Sequence, residues 1–112
     1  MKLEIQNITA AYDTDVVLKQ LSLSVREGEF LSLLGTSGCG KSTLLKTIAG
    51  ILTPSEGKVL LDDRDITHCP VHRRGTVVVF QDMRLFPHKS VAENVAFPLK
   101  MQGILCLFCI YI

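Results

Sequence analysis

The chain has 112 residues, of which 47% are hydrophobic and 21% are charged, and it carries a net charge of +1 at neutral pH. This composition is typical of a small globular domain and excludes an intrinsically disordered chain. A charge so close to zero gives no polyelectrolyte signature, so we expect no nucleic-acid partner.

The ends of the chain and its cysteines indicate a cytoplasmic protein. Residues 1–7 alternate like a strand and lack the apolar region of a signal peptide. The longest uncharged apolar stretch, 104–112, is nine residues long, whereas a membrane span needs about twenty. Four cysteines, one of them in a glycine-rich loop, fit a reducing compartment better than a disulfide scaffold.

The first half of the chain predicts strands followed by a helix. Alternating apolar residues indicate antiparallel strands at 3–8 and 16–25, and the polar segment 26–29 indicates a turn. The apolar run 30–34 predicts a buried strand. Residues 44–49 then predict a helix that ends at the next glycine.

The second half predicts two more strands and a short helix. The sequence predicts a strand at 58–62, a polar connection at 65–74 and a buried strand at 76–80. Ser90 and Glu93 have the spacing of a capping box, which predicts a helix from Val91 until Pro98 ends it.

A complete phosphate-binding pattern, GTSGCGKST, lies between the predicted strand 30–34 and the helix 44–49. This strand-loop-helix order supports phosphate binding, because it places the backbone N–H groups of the loop at the start of a helix. The candidate phosphate-binding residues are Gly35, Thr36, Ser37, Gly38, Cys39, Gly40, Lys41, Ser42 and Thr43. The alternative is a glycine-rich turn with a chance Lys-Ser pair, which should occur in well under about one in a hundred chains of this size.

The residue types in this loop suit a nucleotide with its magnesium ion. Glycines let the backbone take positive φ angles, so that successive N–H groups can face a polyphosphate. The helix start adds unpaired N–H groups and the positive end of its dipole. Lys41 would reach the β and γ phosphates, Ser42 would ligate Mg²⁺, and Thr43 could hold a further phosphate oxygen.

Several features together resemble the ATPase subunit of ATP-binding cassette (ABC) transporters, in the style of bacterial importers for small solutes or ions. They are Tyr12 ahead of the loop, the loop itself, Val79-Phe80-Gln81, the segment 85–88 and the segment 90–97. The likeness covers residues 1–103. It implies an α/β P-loop NTPase fold with an N-terminal antiparallel β subdomain, here incomplete.

The resemblance also implies roles for residues outside the loop, with ATP and Mg²⁺ as cofactors. Tyr12 would stack on adenine and Val17 would line the same pocket. Gln81 would complete the Mg²⁺ shell with Ser42 and sense the γ phosphate. The alternatives are a strand-edge aromatic residue for Tyr12 and an ordinary polar loop residue for Gln81.

The partners implied by the resemblance are a transmembrane permease and a second ATPase subunit. The segment from Met83 to Lys89 would lie against the permease, with Leu85 and Phe86 as contact residues. The subunit would then be cytoplasmic and peripheral on the inner face of the cell membrane.

The chain departs from the resemblance after Gln81. A signature loop of LSGGQ type, a second strand ending in aspartate, a catalytic glutamate and a late histidine do not occur there. We therefore expect about half a cassette, which binds ATP and does not turn it over alone. The uncharged tail 104–112 is expected to be foreign to the family, with a frameshift as the hypothesis for its origin. The apolar side chains of 30–34 are expected to be uncovered and prone to aggregation.

Two other classes of function remain open at this point. One is a nucleotide-binding module without catalysis that competes for the dimer partner of a complete cassette. The other is a fragment of another P-loop ATPase or kinase, which shares the loop. An arginine-rich lid would favour a kinase, and long heptad repeats would favour a chromosome-maintenance ATPase. The sequence contains neither feature.

Overall fold

The computed structural model describes residues 2–80, 85–102 and 108–111. Within these ranges the chain forms six strands and two α-helices. In chain order they are β1 (Leu3–Tyr12), β2 (Asp15–Val25), α1 (Lys41–Ala49), β3 (Glu56–Leu61), β4 (Arg64–Asp65), β5 (Thr76–Val79), α2 (Val91–Gln102) and β6 (Phe108–Tyr111). A single turn of 3₁₀ helix, Val71–Arg73, precedes β5.

The N-terminal strands form a four-stranded antiparallel sheet in the order β2-β1-β3-β4. Leu3, Ile5 and Ile8 of β1 point into the core and are at most 2% exposed; an irregularity in the pairing with β2 between Ile5 and Ile8 shifts the alternation by one residue. Full burial of such a side chain stabilises the folded state by about 1.5–3 kcal/mol. The predicted antiparallel opening is therefore confirmed, and the same core receives Leu44 and Ile48 of α1.

Glycines bound helix α1 at both ends. Gly40 precedes the helix with a φ of 101°, and its carbonyl accepts the N–H of Leu44 at 2.9 Å. Gly50 follows the helix with a φ of 92° and donates its N–H to the carbonyl oxygens of Lys46 and Thr47. Left-handed φ angles suit glycine, which has no Cβ to clash. The predicted helix and its end are confirmed.

The prediction of a buried strand at 30–34 is wrong. None of the strand pairings within the described residues includes this segment, and Phe30 and Leu34 are 92% and 94% exposed. A strand needs a neighbour that accepts and donates its backbone hydrogen bonds, and hydrophobicity alone does not supply one. The companion prediction, that the apolar side chains here are uncovered, is confirmed at Phe30 and Leu34.

The predicted strand at 76–80 exists as β5, but it is only half-buried and ends at Val79, which is 39% exposed. Its neighbour is β6, from the apolar tail, which pairs with it in parallel so that Thr76 lies opposite Phe108 and Val79 opposite Tyr111. A two-stranded sheet has little to cover its faces, which accounts for the partial burial. The tail thus contributes a strand.

Helix α2 begins as predicted but ends later. The Ser90 hydroxyl accepts the Glu93 N–H at 3.2 Å, and a Glu93 carboxylate oxygen accepts the Ser90 N–H at 3.3 Å, which confirms the capping box. The predicted end at Pro98 is wrong, because the helix continues to Gln102. Proline removes one backbone hydrogen bond and can bend a helix without ending it. Within the described ranges no helix is long and apolar enough to cross a bilayer.

Candidate nucleotide-binding site

The loop 35–40 folds back on itself ahead of α1. The Cys39 N–H donates to the Thr36 carbonyl at 3.2 Å, which closes a tight turn. Gly38 and Gly40 take φ angles of 81° and 101°. A Cβ added to Gly38 would have no atom within 4 Å, so the loop has free space on that side. Backbone N–H groups that flank such positive-φ positions form the concave nests that bind anions.

The Lys41 ammonium group lies over this loop. Its Nζ donates to the carbonyl oxygens of Gly35 at 2.6 Å and Thr36 at 2.9 Å, and lies 3.4 Å from the Cys39 sulfur. These acceptors are uncharged, whereas hydrogen bonds to an anionic oxygen are roughly twice as strong. The ammonium group is therefore placed where phosphate oxygens can compete for its protons.

The first turn of α1 supplies further hydrogen-bond donors. The N–H groups of Lys41, Ser42 and Thr43 have no carbonyl one turn earlier within the helix, and Gly40 has no side chain to cap them. Ser42 is exposed, whereas Thr43 is 5% exposed and packs in the core. The helix thus presents one hydroxyl, that of Ser42, beside the loop.

Strand β2 supports the loop from the side. A Cβ added to Gly40 would lie 2.9 Å from Cδ2 of Leu18 and 3.1 Å from Cγ1 of Val17. The structure therefore brings Val17 against the loop, and its role in an adenine pocket stays a prediction. Tyr12 lies at the end of the same hairpin, opposite Asp15, and is 41% exposed. The contact of Leu18 with the loop was not predicted, because an apolar residue in a strand does not indicate which residues it contacts.

The chemical groups at this site are of the kinds that bind ATP and Mg²⁺. Backbone N–H groups, an ammonium group and a helix start are donors for phosphate oxygens. The Ser42 hydroxyl is an oxygen ligand of the kind that Mg²⁺ accepts. Gln81, the second predicted magnesium ligand, lies outside the described residues, as does Met83.

The segment that leads into α2 is exposed and held by one side chain. Asn94 accepts the Phe86 N–H at 2.9 Å through Oδ1 and donates through Nδ2 to the carbonyl oxygens of Phe86, Lys89 and Ser90. The Phe86 ring packs against Phe97 with centroids 4.7 Å apart. These contacts fix the backbone of the segment, while Leu85 remains 71% exposed.

The sequence profile of the ABC transporter family matches residues 18–108. The chain belongs to this family. Among curated relatives of the family, a spermidine/putrescine import ATP-binding protein, PotA, of Shigella dysenteriae is 50% identical over 88% of the chain. An Fe(3+) ions import ATP-binding protein, FbpC, of Escherichia coli K12 is 42% identical over 90% of the chain.

Solved ABC cassette structures agree with the assignment of fold. The dimeric ATP-binding cassette MJ0796 in a post-hydrolysis state, bound to ADP and Pi, is 31% identical and covers 93% of the chain with a TM-score of 0.73. A second dimeric structure of MJ0796 is 32% identical with a TM-score of 0.75. The fold is therefore that of the P-loop ABC ATPases, present as a partial domain.

The chain spans about a quarter of these curated relatives, 26% of the PotA protein and 29% of the FbpC protein. It spans 50% and 49% of the two MJ0796 chains. The shared part contains the phosphate loop and the antiparallel opening.

Proposed function

We propose that this chain binds ATP with Mg²⁺ through the loop 35–43, as part of an ATPase subunit that energises solute import. The observation that carries the proposal is the Lys41 ammonium group, held over a loop of positive-φ glycines at the start of α1. Anionic oxygens are the ligands that such a set of donors attracts most strongly.

Each part of the site has its own task in this proposal. The loop N–H groups and Lys41 hold the β and γ phosphates. Ser42 and Gln81 would supply the protein ligands of Mg²⁺. Bound Mg²⁺ would neutralise part of the phosphate charge.

The base would bind beside the β1-β2 hairpin. Tyr12 offers a partly exposed ring for stacking on adenine, and Val17 of the same hairpin packs against the loop. Stacking on an aromatic face tolerates any base, so we expect only weak discrimination between ATP and GTP. Thr43 is buried, so its backbone N–H is a better candidate for contact with phosphate than its hydroxyl is.

The chain is proposed to bind ATP without hydrolysing it alone. After Gln81 the sequence contains two acidic residues, Asp82 and Glu93. The Glu93 carboxylate is engaged in the capping box of α2, where it accepts the Ser90 N–H. Hydrolysis requires a group that orients the attacking water, and Glu93 is committed to a structural role.

The proposed partners are a permease and a second ATPase subunit, at the membrane surface on the cytoplasmic side. Leu85 and Phe86 are 71% and 41% exposed at the start of the segment that Asn94 holds. Exposed apolar side chains on a fixed backbone suit contact with a partner helix. The dimeric structures of MJ0796 support pairing with a second cassette.

Isothermal calorimetry with three proteins tests the proposal: the unmodified chain, Lys41→Ala and Lys46→Ala. Lys46 is a matched control, because it carries the same charge at the far end of the same helix. We expect micromolar binding of Mg-ATP, much weaker binding of AMP, and loss of ATP binding in Lys41→Ala alone. Equal ATP affinity in all three proteins would show that the loop is not the binding site.

A further inference from the structure

Arg74 is a buried cation that the proposed function does not use. It lies two residues before β5 and is 4% exposed. Its Nε donates to the Cys69 carbonyl at 2.8 Å, and one terminal nitrogen donates to the Thr67 carbonyl at 2.8 Å. The other donates to the carbonyl oxygens of Thr47 and Ile48, both at 3.1 Å.

These four acceptors belong to two separate parts of the chain. Thr47 and Ile48 are in the last turn of α1, where carbonyl groups lack partners and the helix dipole is negative. Thr67 and Cys69 are in the connection that leads to β5. One planar guanidinium group therefore joins the end of the helix to the connection, a geometry that the single ammonium of a lysine cannot reproduce.

The surroundings of Arg74 are built to receive it. A Cβ added to Gly50, just after the helix, would clash with Nε of Arg74, so glycine is needed there both for its φ of 92° and for space. Burial lowers the pKa of the Arg74 guanidinium below its usual value, because it penalises the charged form. Arg74 remains charged at neutral pH, and an uncharged replacement would remove one hydrogen-bond donor from each of the four carbonyl groups.

We propose that Arg74 is a positioning residue for the phosphate loop, acting through helix α1. The helix has nine residues, so about 13 Å of rigid backbone joins the end that Arg74 holds to the end that carries Lys41. Leu44 and Ile48 pack the buried face of the helix against the sheet, and Arg74 ties the carbonyl groups of the last helical turn to the connection before β5. The inference rests on the proposed function.

The test compares ATP affinity at equal folded content. Arg74→Met removes the hydrogen bonds and keeps an apolar chain of similar length. Val59→Ala is the control, because it opens a cavity in the core on β3 and its side chain takes part in none of the four Arg74 hydrogen bonds. Affinities are measured by calorimetry at low temperature, on protein whose circular dichroism spectrum is native.

Arg74→Met is expected to bind Mg-ATP about tenfold more weakly than the unmodified chain, within the range of about 2- to 30-fold by which a residue without ligand contact changes affinity through coupling. Val59→Ala is expected to keep the original affinity even though it is less stable. Arg74→Lys keeps the charge and loses the planar fork, so its affinity should fall between the two. It also serves as the test variant if Arg74→Met does not fold.

Unchanged affinity in a folded Arg74 variant would overturn the inference, as would an equal loss in Val59→Ala. Failure of the proposed function has a different signature. In that case the unmodified chain binds no ATP, or Lys41→Ala binds it equally well. If the unmodified chain binds and only Lys41→Ala fails, the nucleotide site stands and Arg74 is a purely structural residue.

Discussion

Replacing Gly40 by alanine should destabilise the chain more than the same change at Gly38. Both residues have positive φ, which costs about 1–2 kcal/mol for any residue with a Cβ. At Gly40 the added methyl would also lie 2.9 Å from Leu18 and 3.1 Å from Val17, closer than carbon atoms pack. Overpacking of this kind costs a further 1–3 kcal/mol or so.

Urea unfolding followed by circular dichroism separates these two costs. Gly38→Ala is the matched control, because its new methyl would meet no atom within 4 Å. With a urea dependence of about 2 kcal/mol per molar, a packing cost of about 2 kcal/mol lowers the midpoint by about 1 M. We expect Gly40→Ala to unfold about 1 M earlier than Gly38→Ala. Equal midpoints would refute the close packing of the loop on β2.

Two further outcomes follow from exposure and from charge. The double variant Phe30→Lys and Leu34→Lys should raise the soluble concentration in a sedimentation assay with little change in urea midpoint, because both side chains face solvent; a large drop in midpoint would mean that they are buried. Hydrogen bonds from the hydroxyl and then the N–H of Thr67 hold the pKa of Asp65 below its usual value. This stabilises the fold above the unfolded-state pKa of about 4 and is lost as pH falls through the lower, folded-state pKa. The stability difference between the unmodified chain and Asp65→Asn should therefore shrink below about pH 4 in urea titrations, and a constant difference would contradict this.

The sequence predicted correctly those elements whose formation depends on residues close together in the chain. The alternation in β1, the glycines around α1 and the capping box at Ser90 each act through neighbours in sequence. The phosphate loop belongs to the same class, since its pattern specifies the turn, the lysine and the helix start together. The role of Val17 in an adenine pocket was inferred from resemblance to the family and stays a prediction; the structure shows that Val17 packs against Gly40.

The errors arose where an element depends on distant partners. The run 30–34 is apolar enough for a buried strand, yet the described residues supply no strand to pair with it. The pairing of β6 with β5 joins segments about thirty residues apart, which no local pattern indicates. Arg74 was assigned to a polar connection, because a charged residue in such a stretch is usually exposed. Its four carbonyl acceptors come together only in the folded chain.

An NMR titration of the isotopically labelled chain with Mg-ATP tests the central claim most directly. At 12.4 kDa the chain is small enough for every amide to be followed. The account predicts shift changes concentrated at the amides of 35–43 and at Val17, with Gly38, Gly40 and Lys41 among the largest. Changes centred elsewhere, for example on the charged cleft between Lys2 and Arg26, or none at saturating nucleotide, would contradict it.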